Sequence, residues 1–488
     1  MEKQNILFVE PSGAPSNVFS KFMTIPLLGP IYLATIARQA GHHAAIFNEN
    51  IMKSPIKGSA MADADILCLS CLTATINRGK EIASEYRQVR KKVGRPSRVL
   101  VGGIHASMMA HDIEEYFDQV IVGEAEHIFL DLAEGRITDR IVQGSRIDDL
   151  DSLPNPDYTT LISHRRMAVA PVMTSRGCPY DCSFCSVTGM FGRKYRSQTP
   201  ERVMEELMRS RDHWRWVFFV DDNFAADLDR TDRLLDLMIK NKFKLRWSAQ
   251  VRTEVTRNPE FVAKMRHAGC KIVYVGFESV NPETLKDFNK RQTVEDISRS
   301  IRVFQKNSIN VHGMFMLGSD TDTKEVFGAT TRFCNEMNLE YAQYSILTPL
   351  PGTRIYEQFM REGRLLHKDW SMYDGLHAVF SPKNMTPNDL QKGMIECFSG
   401  FYTYLNAFDD ALSAFGRTVS ATIKSFYTRA FFPSFYPSIM KVMGRQLMRQ
   451  WVNKNQHYLA YLRQGRGKKI HWPLLSLEGV IRREGIEP

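Results

Sequence analysis

The stretch SRGCPYDCSFCSVTG, residues 175–189, puts Cys178, Cys182 and Cys185, three of the chain's eight cysteines, within eight positions. A disulfide knot is disfavoured, because three is odd and eight cysteines in 488 residues make no disulfide framework. A structural zinc site takes four ligands, usually as two separated pairs, whereas Cys270, Cys334 and Cys397 stand singly on patterned elements. C-x3-C-x2-C fits a [4Fe-4S] cluster left one protein ligand short, with one iron open to another molecule. A zinc loop remains the other reading. Phe184, just before the last cysteine, can shield such a cluster or pack against a neighbouring ring.

The loop follows the strand pattern APVMTS (170–175), the first of six. WVFFVDDN (216–223), LRWSAQVR (245–252), IVYVGFES (272–279), INVHGMFMLG (309–318) and YAQYSILTPL (341–350) complete the series. Helical segments such as Pro200–His213 and Val294–Asn307 separate them. Six strand–helix units predict an incomplete barrel, whose reacting groups belong at the carboxyl ends of the strands. Asp221, Asp222, Arg252, Glu278, Ser279 and Thr348 fall there.

The chain before residue 145 also alternates. NILFVEPS, AAIFNEN, DILCLSCL, RVLVGG and QVIVGE read as strands, and Leu27–Ala40, Arg78–Lys92 and a segment near Ile113 read as helices. This predicts a doubly wound parallel sheet, of Rossmann-like α/β type. Its strand-end loops carry Ser12, Gly13, Ser70, Thr73, Gly102, Gly103, Gly123 and Glu124, where a ligand of such a sheet would sit. Tight strand-to-helix turns alone would also explain the glycines. Cys68 and Cys71 are read as buried small hydrophobes, since strand residues three apart face opposite ways. The expected organisation is a sheet domain (1–145), a linker (146–168), a barrel (169–380) and a mainly helical region (381–488). That last region opens on Thr386, Pro387 and Asp389, a helix-start signal.

SRGCPYDCSFC resembles the signature of the radical S-adenosylmethionine (SAM) enzymes. The resemblance implies that SAM chelates the open iron and is cleaved reductively to a 5′-deoxyadenosyl radical. It also implies SAM contacts from Phe184, Asp221, Asp222, Arg252, Glu278, Ser279, Gly318 and Thr348. PLLGPIYLATIARQAGH, VGGIHASM and VIVGEAEHIF resemble the cobalamin-binding domain fused to one radical SAM subgroup. This implies cobalamin contacts from the strand-end residues above and from His105. The D-x-H-x-x-G signature, whose histidine ligates cobalt in other cobalamin proteins, is absent. The domain is therefore expected to hold cobalamin with its base displaced, or to be vestigial.

The implied activity is methylation of an unactivated carbon on an apolar, lipid-like substrate. Ring-forming or ring-rearranging chemistry uses the same cofactors and is the alternative. Methylthiolation is disfavoured, because the first 170 residues lack cysteines for a second cluster. An external donor such as flavodoxin or ferredoxin is implied for the electron. Position 2 is acidic and the apolar run near the start is short, so no signal peptide is expected and the chain reads as cytoplasmic. A net charge of +10 raises the question of nucleic acid, but no RNA-binding module accompanies it. The excess is local: Ala411–Leu477 holds eleven Lys and Arg and no acid, among aromatics such as Phe415, Phe426, Tyr436, Trp451, Tyr458 and Trp472. Contact with an anionic membrane surface, or a lid over the barrel, would use that composition.

Overall fold

The computed structural model describes residues 3–19, 24–210, 214–412, 415 and 435–464. They form two compact units. One holds the residues up to Trp247 together with Pro349–Asp374; the other holds Ser248–Thr348 and the described residues from Gly375 onward.

In the first unit, β1 (Asn5–Glu10), β2 (His43–Asn48), β3 (Ile66–Ser70), β4 (Val99–Gly102), β5 (Gln119–Val122) and β6 (Ile141–Gln143) make one sheet. Every pairing is parallel, and the order is β2-β1-β3-β4-β5-β6. The strands are apolar on both faces because helices such as Leu28–Gln39 and Ile76–Lys92 cover them. The order reverses at β1, which opens a crevice at the carboxyl ends of the strands. The doubly wound sheet is thus as the alternation implied. Strand β3 stops at Ser70, so the opposite-face argument does not apply to Cys71. Both Cys68 and Cys71 are nonetheless buried, and burial pushes each thiol up to about 12.

The same unit continues with β7 (Ala170–Val172), a two-stranded clasp of β8 (Ser175–Arg176) and β9 (Arg196–Ser197), and β10 (Trp216–Phe219). The unit boundary falls inside β11 (Arg246–Val251). The second unit adds β12 (Cys270–Glu278), β13 (Asn310–Leu317) and β14 (Tyr341–Ile346). The second sheet runs β7-β10-β11-β12-β13-β14, in chain order apart from the clasp, with β7–β10, β12–β13 and β13–β14 parallel. Chain-ordered strands alternating with helices are the six-unit partial barrel. Along β13 buried and half-buried residues alternate, so one face lies under helices while the other does not. On the covered face Phe277, Phe315 and Tyr344 stack in a row that ends against Phe398.

The helix Pro387–Phe401 starts with the expected cap, Thr386 and Asp389 bonding each other's backbone reciprocally. Within the basic stretch, helices Tyr436–Lys454 and Gln456–Gln464 are described. Trp451 and Tyr458 are wholly buried, each 5.0 Å from the His377 ring. These two aromatics therefore serve packing. Phe426, Tyr427, Phe431, Phe432 and Trp472 lie outside the described residues.

Candidate functional site

Loop closure comes first. Gly177 has φ +84°, and a Cβ there would stand 2.8 Å from the carbonyl of Lys194, so only glycine lets the two ends of the loop approach. The β8–β9 ladder seals the base, pairing Ser175 with Ser197 and Arg176 with Arg196. Asp221, at the end of β10, anchors the entry. Its Oδ1 accepts from the backbone N–H groups of Thr174 and Ser175 and from the Ser175 hydroxyl, and its Oδ2 from the Thr174 hydroxyl. Arg230 donates to the Thr174 carbonyl and hydroxyl from the other side. Asp221 was expected among the SAM contacts; here both of its oxygens hold the loop.

Cys178, Cys182 and Cys185 are the three half-buried cysteines of the eight; the other five are buried. Burial pushes the Cys185 thiol up to about 12, with the charges of Cys182, Asp222 and Cys178 adding to it, so these groups are neighbours. Among the described residues no three His, Cys, Asp or Glu groups converge on a single metal ion. A cuboidal cluster asks for something else: three thiolates standing apart, each on its own iron, accessible from one side. Three half-buried cysteines in one short loop supply the donor set such a cluster takes. Asp222, beside them, is half-buried, and burial followed by the Asp221 charge lifts its carboxyl to about 6. Phe184 is half-buried in the same loop.

The strand-end residues of the first sheet divide by what they touch. The Ser12 N–H and hydroxyl both donate to Glu49, which also pairs with Arg78. Gly103, at φ +98°, packs against the carbonyl of Cys71, where a Cβ would come within 2.6 Å. The Gly123 N–H donates to the Ser107 hydroxyl, and open space lies where its side chain would be. Ser70, Gly13 and Gly102 are half-buried around the same crevice. His105 is fully buried, its Nδ1 3.4 Å from the Thr73 hydroxyl and its ring 5.2 Å from Trp370. Its Nε2 has no hydrogen-bond partner among the described residues. Burial and the Lys80 charge lower its pKa to about 4, which leaves a neutral imidazole. The orphaned buried nitrogen of His105 and the open space at Gly123 are the two features here that suit a large polar-edged ligand such as a corrin. Glu124 is committed elsewhere: Arg176, Arg196 and the N–H of Ile147 take up its two oxygens.

The second unit holds the remaining candidates. Arg252 pairs with Glu254 at 3.0 Å and donates to the carbonyl of Lys290. Glu278 pairs with Lys290 at 2.7 Å. The Ser279 hydroxyl accepts from the N–H of Asn281, and the Thr348 hydroxyl donates to the carbonyl of Ile346. Gly318 (φ +103°) packs under Leu390. Its N–H and that of Ser319 donate to Asp322, which also accepts from Thr284. Sequence reasoning missed Arg230, Lys290 and Asp322. The i+3 and i+4 spacing of Asp322 from Ser319 and Gly318 was the one legible signal.

Two family models match the chain. The radical SAM superfamily model covers residues 172–334 and the B12 binding domain model covers 23–133. An uncharacterized methyltransferase, PH0819, of Pyrococcus horikoshii is 28% identical over 438 residues, 82% of this chain and 93% of that one. Bacteriochlorophyllide d C-12(1)-methyltransferase of Chlorobaculum tepidum is 26% identical over 338 residues, 67% of this chain and 73% of the other. Hopanoid C-3 methylase of Methylococcus capsulatus is 25% identical over 413 residues, 78% and 77% of the two chains. Among solved structures, the cobalamin-dependent radical enzyme OxsB, with aqua-cobalamin and SAM bound, superposes with a TM-score of 0.65 at 14% identity. That match covers 95% of this chain and 75% of the other, and it speaks for the fold.

The chain is an enzyme that carries a radical SAM domain preceded by a B12 binding domain. Its cofactors are accordingly a [4Fe-4S] cluster, SAM and cobalamin.

Proposed function

We propose that this enzyme methylates an unactivated carbon of an apolar, ring-bearing or lipid-like substrate. The observation that carries the proposal is the position of the cysteine loop: one compact unit holds both that loop and the strand ends suited to a corrin. When bound, the cluster and SAM supply a carbon-centred radical, and cobalamin supplies a methyl group that a radical can accept. The chain's own part is placement. Cys178, Cys182 and Cys185 would hold three irons, and Asp221 and Arg230 fix the loop that presents them. Asp222, ionised above about pH 6, would receive the SAM ammonium. Arg252, Glu278 and Ser279 are the polar strand-end groups of the second unit. His105 would offer its free Nε2 to an amide at the corrin edge.

An external one-electron donor, flavodoxin or ferredoxin in kind, would supply the electron. We extend the proposal to the substrate's source. In the second unit Leu405, Phe408 and Leu412 are exposed at i, i+3 and i+7, a stripe along one helical face, and Phe415, Tyr436 and Ile439 are exposed as well. Apolar residues beside a cation-rich, acid-free stretch suit an anionic membrane, from which an apolar substrate would be taken. Among the described residues no helix is long and apolar enough to cross a bilayer.

The test uses anaerobically reconstituted full-length enzyme, a chemical reductant and SAM with a deuterated methyl group, applied to an apolar extract of cells lacking the gene. A product three mass units heavier than the unlabelled methylated one, together with 5′-deoxyadenosine, is expected. A product that gains a ring and no label would replace methylation with cyclisation.

A further inference from the structure

Loop closure by Gly177, Asp221 and Arg230 leaves a second set of contacts unexplained. Arg176 and Arg196 face each other across the β8–β9 ladder, where like charges directly opposite repel. What permits the pair is a source of negative charge outside the loop. Arg176 Nη1 lies 2.9 Å from Glu124 Oε1, and its Nη2 lies 2.5 Å from Glu126 Oε1. Arg196 reaches Glu124 Oε2 at 2.8 Å and Oε1 at 3.0 Å. Two cations and two anions, all four buried, cancel. The arginines flank the cysteines, while both glutamates belong to the segment after β5 of the first sheet. The Arg196 and Arg176 charges hold the Glu124 carboxyl below the usual range despite its burial.

A second contact lies at the far side of the loop. Met108, at the end of the helix Ile104–Met108 that follows β4, sits in a notch between Gly189 and Gly352. A Cβ on Gly352 would stand 2.2 Å from the Met108 sulfur, and one on Gly189 would stand 3.1 Å from its methyl. Gly352 leaves the room that the methionine sulfur occupies, and Gly189 adds a tight contact at its methyl end.

We infer that Glu124, Glu126 and Met108 are positioning residues that set the spacing between the cysteine loop and the corrin-binding strand ends. The inference rests on the proposed function, since it is the transfer between the two cofactors that needs this spacing. A loop tied to the first sheet at its base and at its far side is constrained in both tilt and distance. Displacement by about 1 Å between reacting groups costs about 10²-fold in rate, so a rigid attachment has a use here that an ordinary packing contact does not.

The test compares the reconstituted full-length protein with Glu126→Gln and Met108→Ala, both of which leave Gly177, Asp221, Arg230 and the Glu124 pairs with Arg176 and Arg196 in place. Iron and sulfide content, cob(II)alamin uptake and reductive cleavage of SAM should stay within about two-fold of the unsubstituted protein. Pulsed electron paramagnetic resonance of the Co(II) and reduced-cluster spins should then show a distance distribution about two-fold broader in each variant. A Glu126→Asp variant should recover part of the original width. An unchanged distribution in variants that hold both cofactors overturns the inference and leaves the proposed function intact. Loss of the cluster from both variants also overturns it, because the contacts would then serve the loop's folding. If the unsubstituted protein retains no cobalamin, the inference falls together with the reading it rests on.

Discussion

Lys290 Nζ lies 2.7 Å from Glu278 Oε1, with both side chains buried, at the end of β12 where Glu278 takes a φ of +64°. The pairing of β12 with β13 slips at that point, between Gly276 and Glu278. A left-handed glutamate costs about 1–2 kcal/mol, and such strain gathers at binding sites. Gly276 makes the pair possible, because a Cβ there would stand 2.4 Å from Glu278 Oε1. Lys290→Met should therefore strand a buried carboxylate and destabilise the protein by about 3–5 kcal/mol. Urea unfolding followed by circular dichroism measures this; an unchanged midpoint would mean the pair is solvated.

Glu10 predicts a pH dependence. It is buried at the end of β1, its Oε2 accepting from the Leu27 N–H and the Asn48 amide, while Oε1 has no partner among the described residues. Burial raises its pKa to about 7, against the lowering effect of those two bonds. The folded state thus binds the proton more tightly than the unfolded chain. The resulting stability is full below about pH 4.5 and is lost as pH rises through 7, a span worth about 3 kcal/mol. Glu10→Gln should flatten that part of the stability profile between pH 5 and 8. A variant curve parallel to the original would place the dependence elsewhere.

Gly177→Ala tests loop closure. The substitution sets a Cβ against the Lys194 carbonyl at a φ that disfavours alanine. Reconstituted protein should bind less than half the iron and sulfide of the original while keeping its far-ultraviolet circular dichroism. Changing Cys178, Cys182 and Cys185 together to alanine should remove the absorbance near 400 nm altogether.

For the C-terminal helices, Trp451 is wholly buried against His377. Trp451→Ala should cost about 3–5 kcal/mol, read as a lowered unfolding midpoint. By contrast, serine at Leu405, Phe408, Leu412 and Phe415 should leave the midpoint nearly unchanged, since these side chains are exposed. The same quadruple variant should float less with anionic vesicles at low salt. Equal flotation of the two proteins would exclude these side chains as the membrane contact.

The sequence by itself determined the architecture and the kind of chemistry. Strand and helix periods are properties of the local chain, so both parallel sheets and the Thr386 cap were legible in it. Three cysteines in eight residues share any loop that short, so the candidate cluster ligands could be read without tertiary information. Only the tertiary structure shows which of the polar candidates are spent on the frame. Asp221 and Asp222 are adjacent and chemically alike, yet Asp221 spends both oxygens on Thr174 and Ser175 while Asp222 stands beside Cys185. Glu124 ends a glycine-bearing strand loop like any corrin contact, but its partners Arg176 and Arg196 lie 52 and 72 residues away. Met108 and its two glycines come from three separate segments. The reason is physical: an isolated charge or methionine carries no local mark of its partner, and whether it is buried depends on where the chain returns.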